Sequence, residues 1–364
     1  MQNYDKPLVK LPVPHELSEQ WLSYWISVIE NYMDIDIQLV HNNATVPIEA
    51  SYIRHLISET IKHFSGNAEP SNIPIIDIMI KEFHEKLQSS YNVRIGWKPE
   101  FKFLLTFDID IAYQFKGRPL YKHVLAFFRD AIIRPNTALK RLKFFLTGSD
   151  PFDTIPLELP VKPQLVFIYV GEGKSKHDPK LNLLPHQWKE IIHSWRRVAS
   201  VHWHPSLYAS QSFENFKQEF NKWLNLANKE YKDKVRFHYL NIDIQNHGQW
   251  LEKLGIKEDF SLGRYHPPFF KAGTSMPFRP FSLSENRPFN FIEYPVIAMD
   301  VSFTELTSCP QEAIEKFKDL VNKVRQVGGT MHIIIHPEKA LGLEIGYEKW
   351  RPFYNFVFQV LQEQ

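Results

Sequence analysis

From residue 101 onward the chain alternates short runs of β-branched and aromatic residues with longer stretches of helical periodicity. The pattern predicts strands at 101–107, 142–147, 164–170, 199–204, 235–242, 294–303 and 330–335. Several are continuous apolar runs rather than strict alternations, as expected of parallel strands covered on both faces. Between them lie helices such as 310–327, where Ala313, Phe317, Leu320, Val321, Val324 and Val327 form one apolar stripe ended by Gly328 and Gly329. Strand–helix alternation of this kind predicts an α/β fold with a parallel sheet. An irregular (β/α) barrel of about seven parallel strands is the preferred form, because residues able to do chemistry fall just after strand ends.

Residues 1–96 have a different texture. Ile53, Ile57, Ile61 and Phe64 predict an amphipathic helix over 50–64. A second helix is predicted over 73–91, entered at Pro74 and left at Gln88-Ser-Ser, and a short strand over 35–40. Residues 93–99 read as a linker. The expected organisation is a small, mostly helical α/β domain at 1–96 and a barrel at 97–364. The loop from Arg264 to Arg287 is rich in Pro and Phe and long for a connection, which suggests a lid or pocket wall.

Composition narrows the function classes. With 43% hydrophobic and 23% charged residues in 364, the chain can bury a core. Forty-three basic against 41 acidic residues leave no footprint of a nucleic-acid binder. Aromatics reach 14%, and those that escape the core are candidate sugar platforms. Cys309 is the single cysteine, so no intrachain disulfide forms and a reducing compartment is favoured. The start, Met1 to Pro7, lacks a basic segment followed by an apolar run, and no apolar stretch reaches the ~18–20 residues that span a bilayer. The expectation is a cytoplasmic protein without a membrane span.

Four segments carry candidate chemistry. In Leu104-Leu-Thr-Phe-Asp-Ile-Asp110 an apolar strand runs into two carboxylates at i and i+2, which point the same way on an extended strand. Such a pair suits a metal ligand beside a general base, although an ordinary strand exit also accounts for it. His202 and His204 share a strand face in Val201-His-Trp-His-Pro205, as do Arg236 and His238 in Lys234-Val-Arg-Phe-His-Tyr-Leu240. Imidazole is the commonest zinc ligand, though core or solvated histidines would read alike. His336 ends the apolar strand Met331-His-Ile-Ile-Ile-His336, where it could serve as a general acid or simply bond a carbonyl.

In this order the segments resemble the polysaccharide deacetylase superfamily, and within it a bacterial branch with an extra N-terminal domain. Thr106-Phe-Asp-Ile-Asp110 looks like the first motif of that family, and His204-Pro-Ser-Leu-Tyr-Ala-Ser210 like the second. Leu254-Gly-Ile-Lys-Glu-Asp-Phe-Ser261 and Phe270-Lys-Ala-Gly-Thr274 resemble further segments of the branch, so that the likeness covers roughly residues 73–338. The resemblance implies Asp108 as catalytic base, Asp110 and His204 as ligands of a divalent metal, zinc foremost, Arg236 as orienter of the base and His336 as general acid. It implies hydrolytic removal of acetyl groups from N-acetylated or O-acetylated sugars of a cell-envelope polysaccharide or its precursor. The family's second imidazole is replaced by Tyr208, so that either His238 or His202 could complete the ligand set, and Lys271 stands where the branch has Arg. Tyr208, Lys271 and Trp203 are the candidate substrate contacts. A deacetylase-fold protein that binds glycan without turnover is the alternative.

Overall fold

The computed structural model describes residues 6–14, 17–40, 46–118, 120–153, 155–344 and 346–363. Met1 to Asp5, on which the reading of the chain's start partly fell, lie outside the described residues. Eight parallel strands form one sheet. Lys102–Ile109 lies in the middle, flanked by Leu165–Tyr169 on one side and Thr330–Ile335 on the other. Ser200–His204, Lys234–Val235, Glu258–Asp259 and Ile292–Glu293 extend it one way, and Ala298–Met299 completes the other edge. The two edge strands are successive parts of one chain segment. Val296 N–H donates to Leu262 O (2.9 Å) and Ile297 N–H to His332 O (3.1 Å), so this segment closes the sheet into a barrel of seven strand positions.

Local sequence explains the supporting elements. Helix Pro310–Val327 has Pro at its first turn and Gly328 at φ 75° as its left-handed cap, and it buries the stripe from Ala313 to Val327. Leu105, Phe107, Ile333 and Ile335 are fully buried and build the barrel wall.

The periodicity misjudged three strands. Residues 142–147 are the last turns of helix Pro135–Thr147, which Pro135 starts and the left-handed Gly148 stops. These caps frame a helix-length segment, and the short apolar run inside it had imitated a strand. Of 235–242 only Val235 stays in the ladder; Tyr239 and Leu240 take positive φ (59° and 54°) in a tight turn that aims His238 inward. Of 294–303 only Ala298–Met299 pairs as a strand, and helix Asp300–Leu306 follows at once.

Residues 93–99 are also more than a linker. Gly96–Trp97 pairs antiparallel with Met33–Asp34, and Ile95 is buried. The N-terminal helices Glu19–Tyr32, Ala50–Phe64 and Ile75–Tyr91 share one apolar core with the barrel. Their docking point is Phe270-Lys-Ala-Gly-Thr274. Phe270 exchanges backbone hydrogen bonds with Ser71, and the buried Asp77 carboxylate accepts from Thr274 Oγ1, Ser275 N and Ser275 Oγ. Gly273 (φ 66°) is required there, since a Cβ would sit 2.4 Å from His63 Nδ1.

Candidate active site

Four parallel strands end around one cavity of about 230 Å³. Asp108 and Asp110 come from the first strand, His204 from the strand ending at that residue, His238 from the turn after Lys234–Val235, and His336 from the end of Thr330–Ile335. Strand C-termini converge at one mouth of a parallel barrel, so residues far apart in sequence meet there.

His204 and His238 are each tied through Nδ1 and turn Nε2 toward Asp110. His204 Nδ1–H donates to Arg236 O (2.5 Å), leaving Nε2 3.1 Å from Asp110 Oδ1. His238 Nδ1 bonds Asp178 Oδ1 (3.2 Å), leaving Nε2 3.6 Å from the same Asp110 oxygen. Asp178 is itself fixed by the backbone N–H groups of Leu207 and Tyr208, both at 3.0 Å. Asp110, His204 and His238 offer ligand atoms that all lie within 4.8 Å of one another. Outer partners of this kind orient histidines toward metals. A donor set of two imidazoles and one carboxylate with an open side fits a catalytic zinc or similar divalent ion.

Electrostatics bind the group together. Burial alone would raise the Asp110 pKa, but the His238 charge and hydrogen bonds from His204, His238 and His336 hold it well below the usual carboxylate range. Burial alone would lower His238, yet Asp110 and Asp178 bring it up to about 9. Metal uptake therefore competes with protons at this cluster.

Asp108 sits one layer deeper and is 3% exposed. Arg236 Nη1 donates to Asp108 Oδ1 (2.9 Å) and to Thr106 Oγ1 (2.7 Å), Nε donates to Phe260 O (2.9 Å), and Nη2 to His332 Nε2 (2.8 Å). Every guanidinium nitrogen has a partner, as a fully buried cation requires. His332 can accept because burial, then the Arg236 charge, push its pKa well down and keep it neutral. Asp108 Oδ2 lies 3.8 Å from His204 Nε2, so the carboxylate faces the same cavity without joining the ligand set. Beneath this network Asp259 and Glu293 are fully buried carboxyls, Asp259 Oδ1 accepting from Ser261 Oγ (2.5 Å) and Glu293 Oε1 from Leu262 N (2.9 Å). Burial and then Asp259 push the Glu293 pKa well up.

Across the cavity His336 Nδ1 bonds Asp300 Oδ1 (2.7 Å) and its Nε2 lies 3.4 Å from Asp110 Oδ2. Asp300 also accepts from His336 N (2.9 Å) and Tyr354 Oη (3.1 Å). Burial alone would lower His336, but Asp300 and the Asp110 hydrogen bond raise it well above the ordinary histidine value, against Lys339.

The structure thus brings together Asp108, Asp110, His204, Arg236, His238 and His336. It does not bring His202, Trp203, Tyr208 or Lys271 to them. His202 bonds Ser200 Oγ (2.8 Å) deeper in the barrel, and burial pushes its pKa down to about 3. Trp203 alternates to the other strand face and is buried against Phe216 and Phe220. Tyr208 lines a neighbouring cavity of about 250 Å³ beside Lys174. Lys271 lies by His63, at the contact with the N-terminal helices. Of the long loop from Arg264 to Arg287, Tyr265 reaches the cavity wall.

Asp178 and Asp300 escaped the sequence reading. Asp300 had a usable signal, since an apolar run ending in a carboxylate is the pattern that exposed Asp108. Asp178 lies in a non-periodic loop and had none.

No family model and no curated protein matches the chain. Among solved structures it is similar to a crystal structure from Mycobacterium smegmatis described as a "putative polysaccharide deacetylase", at 16% identity and a TM-score of 0.41, over 72% of this chain and 84% of that one.

Proposed function

We propose that the chain is a hydrolase that removes acetyl groups from N-acetylated or O-acetylated sugars of a cell-envelope polysaccharide or its precursor, using a divalent ion held by Asp110, His204 and His238. The observation that carries this reading is the convergence of two back-tied imidazoles and one carboxylate within 4.8 Å, beside the Arg236-held Asp108. A zinc ion there would polarise the acyl oxygen and make water more acidic. Asp108 takes the proton of the water that attacks the acetyl carbon, and Arg236 fixes the direction in which Asp108 points. His336 gives its Nε2 proton to the departing nitrogen or oxygen as the bond to the acetyl carbon breaks, leaving acetate and the free sugar amine or hydroxyl. Asp300 holds His336 protonated and oriented for that transfer. Tyr239 and Tyr265 supply half-exposed rings at the mouth on which a sugar face can lie. Residues 1–96 and 97–364 are taken as two units, the first bracing the barrel through Asp77.

The test joins metal content to acetate release. Protein purified without chelators should carry one divalent ion and release acetate from N-acetylglucosamine oligomers. Alanine at Asp110, His204 or His238 should abolish both. An unchanged metal content in those variants sinks the ligand assignment, and glycan binding without acetate release sinks the enzyme.

A further inference from the structure

The helical hairpin Leu120–Ile133 and Pro135–Thr147 is built inside out. In the first helix Tyr121, Val124, Leu125, Phe128 and Ile132 recur at the spacing of one helix face, and in the second Leu139, Leu142 and Leu146 do the same. Such a stripe ordinarily faces a core. Here it faces outward, with Ile132 86% and Leu146 78% exposed. The buried residues of the pair are largely polar instead. Arg141 Nη1 donates to His123 Nδ1 (2.9 Å) and Arg141 Nη2 to Asp130 Oδ2 (2.9 Å), both between the helices. Eleven of the eighteen large hydrophobic residues exposed among the described residues lie on this one hairpin, a concentration far above the scatter normal for a protein surface.

Its charge is equally uneven. Residues 118–147 hold seven of the chain's 43 Lys and Arg residues but one of its 41 Asp and Glu residues. Lys122 and Lys143 are exposed alongside the apolar stripe. On the inner side Arg118, Arg129, Arg134 and Arg141 line a cavity of about 360 Å³ that also includes Asp110 and Lys339.

We propose that this hairpin docks the protein on an anionic lipid bilayer, with its apolar stripe in the boundary between headgroups and acyl chains and its cations among the phosphates. Apolar residues on one face and Lys and Arg beside them are the signature of a helix that lies in that boundary. The helices, of 14 and 13 residues, are shorter than the ~20 residues that cross a bilayer. No helix among the described residues is long and apolar enough to cross a membrane, so the hairpin rests on the surface rather than passing through it. A second copy of the chain is the poorer occupant, because it would set one cationic hairpin against another. The arginine-lined cavity then opens beside the headgroup layer and leads toward Asp110. Docking is independent of the proposed reaction, since it is measured without substrate.

Flotation with phosphatidylcholine vesicles, alone or mixed with phosphatidylglycerol, tests the proposal. The full chain should float with the mixed vesicles, less with phosphatidylcholine alone, and less at high salt. Lys122→Gln with Lys143→Gln should weaken binding by about fivefold per charge removed. Leu125→Glu with Ile132→Glu should abolish it while far-UV circular dichroism stays unchanged. Absence of flotation with either vesicle overturns the proposal, as does undiminished flotation of the Leu125→Glu, Ile132→Glu variant. A wild-type dimer that does not float, and that this variant makes monomeric, overturns it in favour of self-association.

Discussion

The barrel mouth and the Leu120–Thr147 hairpin both bury charged groups, yet they differ in what encloses them. Around Asp108 and Arg236 the barrel interior encloses the pair except where Asp108 faces the cavity, and each guanidinium nitrogen is bonded. Around Asp130 and Arg141 the cover is thinner, the two helices and Phe115 on one side, and the hairpin's apolar stripe points away into solvent. In the first case hydrophobic burial elsewhere offsets the desolvation of the charges. In the second, apolar area left in water forfeits roughly 25 cal/mol per Å², a deficit that ends when something apolar covers it. The two buried ion pairs thus differ in the apolar shell around them, nearly complete at the barrel mouth and open on one side at the hairpin.

The contrast predicts graded effects. The largest is expected at Asp108: the Asp108→Asn variant should lose about 10²–10⁴-fold in acetate release while keeping its metal and its fold, because the base goes and the ligands stay. Wild-type turnover in that variant would remove Asp108 from the reaction. Arg236→Met strands Asp108 in the enclosed region and should cost about 3–5 kcal/mol in denaturant unfolding. A shift below 1 kcal/mol would show that water reaches the network and that the barrel is less sealed than the hairpin comparison requires.

Asp178→Asn removes the carboxylate behind His238 and should weaken metal affinity about 10–100-fold without touching a ligand, as measured by competition with a chelating dye. Equal affinity in variant and wild type would assign His238 no orienting partner. The Asp259–Glu293 pair yields a pH signature. Both carboxyls are raised in the folded state, so folding binds a proton that the unfolded chain has released. That contribution is complete below the unfolded carboxyl range near ~4 and is lost as pH rises toward the folded values. Glu293→Gln removes one of the two raised carboxyls, so its unfolding midpoint should fall less between pH 5 and pH 8 than that of the wild type. Parallel pH profiles would mean that Glu293 takes up no proton on folding. The smallest effect belongs to the hairpin: Phe128→Gln should move the stability of the free protein by no more than about 0.5 kcal/mol. A loss of several kcal/mol would show that the outer stripe already has a partner within the chain.

The sequence was most readable where one period dominates. Helices Ala50–Phe64 and Pro310–Val327 and strand Thr330–Ile335 coincide with their predicted limits, because each carries a single uninterrupted stripe or apolar run bounded by a clear stop. Reading failed where local and tertiary signals diverge. The run at 142–147 resembles a strand until Pro135 and Gly148 are weighed as the two ends of a helix. The fate of 235–242 is set by tertiary contacts that pull His238 inward, which no period encodes. In the candidate site, residues that follow apolar runs were visible, whereas Asp178 acts from a loop and left no trace. The substrate contacts read from Trp203 and Lys271 failed for a simpler reason. Strand alternation turns Trp203 outward from the barrel interior, and the segment around Lys271 is occupied in docking the N-terminal helices.

Closure of the barrel also governs how the molecule must fold. Its first strand pairs with its last, so that Thr106 meets His332, 226 residues away. Contacts this distant carry a large loop-closure cost before they return any stabilisation, and chains dominated by them fold slowly. Asp110 and His336 straddle the same seam, so the cavity cluster depends on that distant pairing. A nascent chain released before residue 330 holds Asp110, His204 and His238 but lacks the strand that seals them in. The cavity is thus a property of the folded barrel and not of any contiguous segment.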